Sequence, residues 1–473
     1  MDYKHGESRG QMSFFPKSLD EYIGQENVVR FVDAFVESLD LVELGFKHAR
    51  PNQTGRPPYH PGDMFRLYLY GYLNKVNSSR LLEREAGRNI ELMWLVGKLK
   101  PDFKTIADFR RDNGGAIKQA CQQFTVLCQQ MNMFSGQLVG IDGSKYRAVN
   151  SKKRNFTKEK LKGLREYVDK KVDEYLKTMD EKDSEEVDED KPTKEELKEK
   201  IEELRRRKEG YEAKEKELEK SGERQMSLTD PDSRLMKTKE GTNVCYNLQM
   251  AVDSKHKLII AHEVTNECND QQQLLKMARK AKEVLGVEQI EVVADKGYSD
   301  GEQVRECEKE GITAYIPQKR IASKDGAFSK DAFVYRAETD VYECPARQKL
   351  EYRSTENRKG REVRVYRGVA CDECAIKSQC TTSSSSRLVR RWPGEDALER
   401  MSHRVRGDPE KMKLRGQLVE HPSGTLKRWW GYGQFLMKGL KKVETESCLM
   451  ILAYNMRRAI NIAGTEKMID AIA

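Results

Sequence analysis

Two short apolar segments with the character of strands each end on an aspartate. The first runs from Leu138 to Asp142 and is followed by Gly143, and the second runs from Ile290 to Asp295. A carboxylate at the tip of a buried strand is well placed to bind a metal ion above the edge of a sheet. Two such tips on neighbouring strands, with a third acid from a helix, would supply the oxygen ligands that two Mg²⁺ ions need for phosphodiester chemistry.

The third acid is expected in the C-terminal part of the chain. Glu420 and Lys427 are seven residues apart, a spacing that puts them on one face of a helix, where the carboxylate would bind metal and the lysine a phosphate. The alternative is a surface ion pair on an ordinary amphipathic helix. Because Pro422 removes a helical hydrogen bond, the helix is expected to kink or restart there.

Four of the ten cysteines are clustered with the spacing C-x₂₆-C-x₂-C-x₅-C: Cys344, Cys371, Cys374 and Cys380. Four thiols, two of them in a C-x-x-C pair, can surround a tetrahedral ion and predict structural Zn²⁺. A disulfide is the alternative, which a reducing cytosol disfavours. Residues 319–391 carry 17 Lys and Arg against 10 Asp and Glu, a net charge of +7, so this zinc-binding insertion is expected to face DNA.

The composition of the whole chain sets limits on its class. Its 473 residues, 37% hydrophobic and 34% charged, allow about two to four domains. The net charge of +9 and the pI near 8.8 favour nucleic acid as a partner. The longest apolar runs are too short for a transmembrane helix, and the first residues lack the apolar stretch of a signal peptide.

Helices and strands are predicted along the chain in an α/β order, which divides it into segments. In the N-terminal part, helices are expected over His60 to Leu73 with Asp63 as its N-cap, after Ser78 and Ser79, and from Asp102 to about Met131. In the core, strands are expected at 244–252, 258–264 and 312–316, helices at 271–285 and 301–310, and a packing helix at 440–463. The resulting segments are a flexible lead (1–19), an N-terminal helical domain with probable DNA binding (20–135), the α/β core (136–156 and 223–320), an antiparallel coiled-coil insertion (157–222), a Cys₄ zinc-binding insertion (321–400) and C-terminal helices completing the core (401–473).

The coiled-coil insertion is predicted from the spacing of its apolar residues. Two series follow the alternating four–three spacing of a helical seam: Leu161, Val168, Val172, Tyr175 and Met179, then Leu197, Ile201, Leu204, Tyr211 and Leu218. An acidic turn lies between them, and Thr193 with Glu196 has the pattern of a capping box. Residues 157–221 hold 19 basic and 23 acidic side chains, a net of −4. This arm is therefore expected to be structural or oligomerising rather than the main phosphate-binding surface.

Several motifs, taken in order, resemble those of DDE transposases from bacterial insertion sequences, in the group typified by insertion sequence 1182. The resemblance covers nearly the whole chain. It includes Gly-Arg-Pro-Pro-Tyr at 55–59, Pro-Asp-Phe-Lys-Thr-Ile-Ala-Asp-Phe-Arg-Arg at 101–111, Gly-Ile-Asp-Gly at 140–143, Thr-Asp-Pro-Asp-Ser-Arg-Leu-Met at 229–236, Ala-Asp-Lys-Gly-Tyr at 294–298, Val-Glu-His-Pro at 419–422 and Leu-Ala-Tyr-Asn at 452–455.

This resemblance implies an RNase H-like catalytic core and DNA cutting and joining that depend on two Mg²⁺ ions, with Mn²⁺ as a substitute. It assigns the metal-binding catalytic triad to Asp142, Asp295 and Glu420. It also implies DNA contacts from three residues, Tyr298, Arg415 and Lys427. The partners it implies are double-stranded DNA, at the transposon ends and at the target, and further copies of the chain bound to that DNA. It places the protein in the bacterial cytoplasm, near the nucleoid, with no membrane partner.

Two positions depart from the pattern of the group. Ser423 stands where an aromatic residue is usual, and Gly416 stands where an arginine usually precedes the glutamate, with Arg415 one residue away. Glu444 and Glu446 are therefore alternative third acids. Two other functions also stay open: a catalytically silent, DNA-binding descendant of a transposase, and a structural adaptor built from the coiled coil and the zinc insertion.

Overall fold

The structure is a computed structural model and describes residues 18–51, 57–181, 193–318, 328–358 and 360–472. The chain folds as a mixed α/β protein. Most of the predicted lead and most of the predicted acidic turn of the arm lie outside the described residues.

The described residues before the first strand form six α-helices. Their bounds are α1 Val28–Glu37, α2 Pro61–Leu73, α3 Ser79–Ala86, α4 Ile90–Leu95, α5 Phe103–Asp112 and α6 Gly114–Gln130. The predicted N-cap Asp63 is wrong: His60 caps α2 through its ring nitrogen, and Asp63 lies in the first turn. The single predicted helix from Asp102 to about Met131 is two helices. The chain breaks at Asn113, whose side chain accepts a hydrogen bond from the amide of Lys47.

The central sheet has six strands: β1 Leu138–Arg147, β4 Arg234–Thr238, β5 Gly241–Asp253, β6 Ile259–Thr265, β7 Ile290–Ala294 and β8 Ile312–Tyr315. The order is β4-β5-β1-β7-β8, and β6 pairs with the second half of β5. β1 is antiparallel to β5 and parallel to β7, and β7 is parallel to β8. The strands and helices predicted for this region are present, whereas β4 was not expected from the sequence.

Helices cover both faces of this sheet. On one face, Val139 and Ile141 pack with α9 (Leu274–Leu285), α10 (Gly301–Lys309) and α11 (Glu395–Gly407). On the other face lie α12 (Pro409–Gly424), α13 (Leu440–Ala463) and the N-terminal helices, with α14 (Thr465–Asp470) beyond. Among the helices of the described residues, none combines the length and the apolar character that crossing a membrane requires.

The predicted arm is a pair of antiparallel helices, α7 Lys158–Glu181 and α8 Lys194–Ser221. Ion pairs between Arg165 and Glu215 and between Lys208 and Asp169 fix the antiparallel alignment. Five residues of the predicted seams are buried: Leu161, Val168, Leu197, Ile201 and Leu218. The predicted capping box at Thr193 is present, and β2 (Asn155–Thr157) pairs with β3 (Gln225–Ser227) at the base of the arm.

The segment that carries the four cysteines contains a five-stranded antiparallel sheet. Its strands are β9 Val334–Arg336, β10 Val341–Glu343, β11 Lys349–Arg358, β12 Arg361–Gly368 and β13 Leu388–Arg391. Tyr342 and Tyr366 are buried in its small core. Arg361 joins this sheet to the central domain through the buried carboxylate of Asp300, at 3.1 Å.

Candidate active site

Asp142 and Asp295 come together where β7 ends beside β1. The last registered pair of these parallel strands is Ile141 with Ala294, so the two aspartates occupy the next position of each strand. The prediction that Asp142 ends its strand is wrong: β1 continues to Arg147 because its second half pairs with β5. Of the two strands, only β7 ends at its aspartate.

The charges around Asp142 act on its ionisation. Burial, together with the negative charges of Asp295 and Asp270, raises the pKa of Asp142 to about 6, and the positive charge of Arg415 opposes this shift. Asp295 accepts a hydrogen bond of 2.6 Å from the amide of Gly297, which fixes its side chain at the start of a short 3₁₀ turn. A carboxylate whose ionisation is opposed by neighbouring negative charge is a suitable ligand for a divalent cation.

Asp270, which the sequence did not single out, forms a polar cluster beneath this pair. Its carboxylate accepts hydrogen bonds from Nζ of Lys145 (3.1 Å), Nδ2 of Asn247 (2.6 Å) and Nε2 of Gln249 (2.6 Å). Gly143 lies between Asp142 and this cluster, on the opposite face of β1 because side chains alternate along a strand. The polar Asn247 and Gln249 inside an otherwise apolar β5 were the sequence signal for this cluster.

Tyr298 is a buried member of the same cluster. Its side chain is fully buried, and its hydroxyl donates a hydrogen bond to Oε1 of Gln249. Burial raises the pKa of Tyr298 well above its ordinary value, and the charges of Asp270, Asp142 and Asp295 add to this. The hydroxyl therefore belongs to the Asp270 cluster, and because the side chain is fully buried, a DNA contact would require neighbouring side chains to move.

Helix α12 lies against β1 at the level of the aspartates. A Cβ on Gly140 would come within 2.8 Å of Val419 and 3.2 Å of Leu418, so glycine at this position lets the helix approach the strand. Glu420 follows Val419 and is exposed. In the part of the chain that the structure describes, its carboxylate has neither an ion pair nor a hydrogen bond. Pro422 is buried inside α12, and the expected irregularity follows it as a π-helical turn, Thr425–Trp429.

Lys427 and Arg415 bring positive charge to the site. Nζ of Lys427 donates to the carbonyl of Lys145 at 2.7 Å and lies 4.4 Å from the ring centroid of Tyr146. Burial lowers the pKa of Lys427 to about 8, and the nearby charge of Asp142 opposes that shift. Glu420 and Lys427 were expected on one face of a helix, but the first is exposed and the second is half-buried beyond the π-helical turn.

The two alternative third acids are engaged elsewhere. Glu446 is only 1% exposed, and its carboxylate accepts hydrogen bonds from the amides of Leu436 (3.0 and 2.9 Å) and Met437 (3.0 Å). Glu444 forms an ion pair of 2.9 Å with Lys118. Both carboxylates therefore hold α13 to its neighbours.

The four clustered cysteines line one cavity of about 20 Å³. All ten cysteines lie within the described residues and are free thiols. Burial raises the pKa of Cys380, and the thiols of Cys371, Cys344 and Cys374 add to this shift, so the four sulfurs lie near one another. Sulfur donors of this number are typical of zinc sites.

The side chains are not arranged as a finished metal site. Among the described residues, no group of three or more His, Cys, Asp or Glu side chains has an arrangement that could hold a metal ion. This applies both to the acids around Asp142 and to the cysteines. Asp142 and Asp295 offer oxygen donors on neighbouring strands, and Glu420 is exposed on α12.

Comparisons with known proteins identify two transposase segments. Residues 17–112 match a family model described as a transposase domain (DUF772), and residues 343–460 match one described as a transposase DDE domain. The second match includes Glu420 and the four cysteines but begins after Asp295. No curated protein matches the chain at a significant level.

A solved structure also matches. It is the cryo-EM structure of a piggyBac transposase synaptic complex with hairpin DNA, which is 9% identical in sequence. The match covers 92% of this chain and 82% of that chain, with a TM-score of 0.25.

Proposed function

We propose that this chain, which belongs to the DDE transposases of the insertion-sequence type, cuts DNA at transposon ends and joins it to target DNA by two-metal phosphoryl transfer. The observation that carries this proposal is the position of Asp142 and Asp295, which directly follow the last registered pair of two parallel strands, Ile141 with Ala294. The raised pKa of Asp142 supports it, because a carboxylate close to other negative charges is stabilised by a cation or a proton.

Asp142, Asp295 and Glu420 would hold two Mg²⁺ ions, for which Mn²⁺ could substitute. When bound, such ions supply activation of the attacking oxygen and stabilisation of the leaving oxygen. Glu420 is exposed on α12 without a competing partner in the described residues, so its carboxylate is free to turn when metal and DNA bind. The engaged carboxylates of Glu444 and Glu446 favour Glu420 over these two alternatives.

The surrounding basic residues would place the DNA strand. Phosphoryl transfer needs positioning and charge neutralisation more than covalent help from protein. Arg415 and Lys427, which both act electrostatically on Asp142, would neutralise backbone phosphates beside the carboxylates. Tyr298 and the Asp270 cluster would keep the floor of the site rigid, and Tyr298 would contact DNA only after a rearrangement.

We assign the central sheet to an RNase H-like core. The support is its strand order, in which β6-β5-β1 are antiparallel neighbours and β1-β7-β8 are parallel neighbours. The paired helices α7 and α8 would form a coiled-coil arm. In a bacterial cytoplasm, near the nucleoid, the chain would assemble as a homo-oligomer that brings two transposon ends together.

We also propose structural Zn²⁺ in the cysteine insertion. Cys344, Cys371, Cys374 and Cys380 line one cavity, and a sulfur-only donor set favours zinc. The ion would supply a cross-link between β10 and the loop that precedes β13. The strands of this sheet carry more Lys and Arg than Asp and Glu, so the folded zinc knuckle would present positive charge to DNA.

A strand-transfer assay with Mg²⁺ tests the catalytic proposal. The native chain would be compared with Asp142→Asn, Asp295→Asn and Glu420→Gln on double-stranded DNA that carries the element's ends. We expect cutting and joining by the native chain and their loss in all three variants. Activity that survives either aspartate substitution contradicts the site. A native chain that binds the DNA but never cuts it would be the catalytically silent descendant.

A further inference from the structure

The hairpin of β11 and β12 connects the cysteine insertion to the central domain through a buried charge. The last registered pair of this hairpin is Arg358 with Arg361, so Arg361 lies at its tip. Both terminal nitrogens of the Arg361 guanidinium donate to one oxygen, Oδ2 of Asp300, at 3.1 and 3.2 Å. The side chain of Asp300 is only 1% exposed. Because charge-assisted hydrogen bonds to a buried carboxylate are strong and directional, the position of the hairpin tip is fixed.

A second contact brings the insertion to the same place. A Cβ on Gly301 would lie 2.7 Å from the carbonyl oxygen of Gly394, the residue that precedes α11. Arg361 also pairs with Glu302, at 3.3 Å. The start of α10 is therefore held from two sides, by the hairpin tip and by the segment that follows β13.

The carboxylate that Arg361 contacts also holds the loop of Asp270. This loop, residues 266–273, joins β6 to α9. Oδ2 of Asp300 accepts hydrogen bonds from Nε2 of Gln271 and of Gln272, at 3.3 Å each. Because Gln271 directly follows Asp270, the oxygen that binds the insertion also fixes the backbone beside the Asp270 cluster.

The other oxygen of Asp300 fixes the turn of Asp295, residues 295–298. One residue separates this turn from Asp300. Oδ1 of Asp300 accepts hydrogen bonds from the amides of Glu302 (3.1 Å) and Gln303 (3.2 Å), which makes Asp300 the N-cap of α10. An N-cap side chain holds its own backbone to the first turn of the helix. Asp300 therefore anchors the C-terminal end of the turn that begins at Asp295.

We propose that Arg361 is a positioning residue for DNA cutting: by holding Asp300 from the hairpin tip, it fixes the Asp270 loop and the Asp295 turn. This inference rests on the proposed function and deepens it, because it gives the cysteine insertion a role in the reaction that needs no contact with DNA. A displacement of about 1 Å at a catalytic group can lower a rate by roughly a hundredfold. A contact outside the site can therefore control the rate through backbone position alone.

The first measurement is amide hydrogen exchange of the full chain without divalent metal, followed by mass spectrometry. The variant is Arg361→Gln, and Arg361→Lys keeps a cation at the hairpin tip. The matched control is Arg336→Gln, which removes an arginine whose two nitrogens donate to Glu343 within the insertion, at 3.2 and 2.9 Å. We expect exchange in the Asp270 loop and the Asp295 turn to be at least about tenfold faster in Arg361→Gln, and close to native in the other two variants.

The second measurement is the single-turnover rate of cutting with Mg²⁺ at saturating DNA, beside the affinity for DNA without metal. We expect Arg361→Gln to cut about tenfold to a hundredfold more slowly than the native chain, and Arg336→Gln to cut at the native rate. The two variants should bind DNA equally, because each loses one positive charge from the insertion. Arg361→Lys should recover most of the rate, since its ammonium can still donate to Asp300.

A variant that keeps the buried charge balanced guards against misfolding. If Arg361→Gln unfolds, Arg361→Ala/Asp300→Asn replaces it, because it removes the carboxylate charge together with its cation, and it should show the same faster exchange and slower cutting.

Native exchange in both segments, or a native cutting rate in Arg361→Gln, overturns the proposal and leaves Arg361 a purely structural contact. An equal loss of cutting in Arg336→Gln overturns it as well, because the effect would then come from the insertion in general. If the native chain does not cut DNA, the proposed function fails, and exchange in the metal-free chain still decides whether Arg361 holds the two segments.

Discussion

A Cβ atom on Gly143 would lie 2.3 Å from Oδ1 of Asp270. It would also lie 2.4 Å from Nε2 of Gln249, so it would push apart side-chain ends that hydrogen bonds hold together. The strand that carries Asp142 therefore reaches the Asp270 cluster only because its next residue has no side chain. The carboxylate of Asp142 and the Asp270 cluster are therefore coupled through Gly143.

Substituting Gly143→Ala should therefore disturb both stability and chemistry. We expect the free energy of unfolding to fall by about 1–3 kcal/mol, as in overpacked cores, and DNA cutting to fall with it. Urea denaturation and the strand-transfer assay measure the two effects. Gly163→Ala in α7 is the control, because a Cβ at this position would meet nothing within 4 Å. This substitution should stabilise the helix by about 0.5–1 kcal/mol. Equal effects of the two substitutions would contradict the coupling.

The raised pKa of Asp142 predicts a pH-dependent stability in metal-free buffer. The unfolded carboxyl ionises near its ordinary pKa of 3.8, whereas the folded one keeps its proton up to about 6. The contribution of the Asp142 carboxyl to the free energy of unfolding is therefore fully present below pH 4 and is lost as the pH rises to about 6. Asp142→Asn cannot ionise, so we expect it to be more stable than the native chain by about 1–3 kcal/mol at pH 7 and equal to it at pH 4.

Urea denaturation with EDTA at both pH values measures this difference. Asp173→Asn is the control, because Asp173 is exposed on α7 and its loss should change stability little at either pH. A native chain as stable as Asp142→Asn at pH 7 would show that the buried carboxylate carries no ionisation penalty.

Local patterns in the sequence were enough to predict much of the fold. The apolar residues of 440–463 predict a helix, and α13 has these bounds. The strand predicted from Ile290 is β7, and the two seams of the arm are two paired helices. These elements are specified by periodicity within one segment, so no tertiary information is needed to find them.

The parts that were missed depend on contacts between distant segments. Asp270 lies in a loop after β6, and only the fold brings it to Lys145 and Gln249. The two longest strands of the cysteine insertion, β11 and β12, are rich in charged side chains and have few apolar ones, so their pairing is set by neighbours rather than by an apolar pattern. For the same reason the sequence could propose Glu420 as the third acid but could not tell that its carboxylate is exposed.

The lowered pKa of Lys427 predicts that DNA binding weakens in mild alkali. A lysine whose pKa is about 8 loses its charge between pH 7 and pH 9. In this range Lys427 must therefore take up a proton before it can bind a phosphate. We expect native affinity for duplex DNA to fall by up to about tenfold per pH unit above 8. Lys427→Arg stays protonated and should remove this dependence. Lys216→Arg, on the exposed face of α8, should leave the pH dependence of DNA affinity as it is in the native chain.

The zinc proposal predicts the metal content of the purified protein. The native chain should contain about one zinc ion, and Cys371→Ser/Cys374→Ser should contain none, because two thiols cannot complete a tetrahedral site. Cys268→Ser is the control, since this exposed cysteine lies outside the insertion. Elemental analysis after dialysis against a mild chelator measures the content. Zinc retained by the double variant would refute the site.

Glu420 and Glu446 should respond in opposite ways to the same change of carboxylate to amide. Glu420 is exposed without a partner in the described residues, so Glu420→Gln should change the free energy of unfolding by less than about 0.5 kcal/mol while abolishing DNA cutting. Glu446 is buried and accepts backbone hydrogen bonds at Leu436 and Met437. Glu446→Gln turns an amide donor toward these N–H groups and should cost about 1–3 kcal/mol.

Cutting by folded Glu446→Gln protein, measured at a temperature below its unfolding transition, should stay near the native level. Because the two variants lose the same charge, a difference between them cannot come from net charge. If Glu420→Gln cuts DNA as the native chain does, and folded Glu446→Gln does not, the third acid is on α13 rather than α12. The catalytic cleft would then lie among the N-terminal helices that pack on α13.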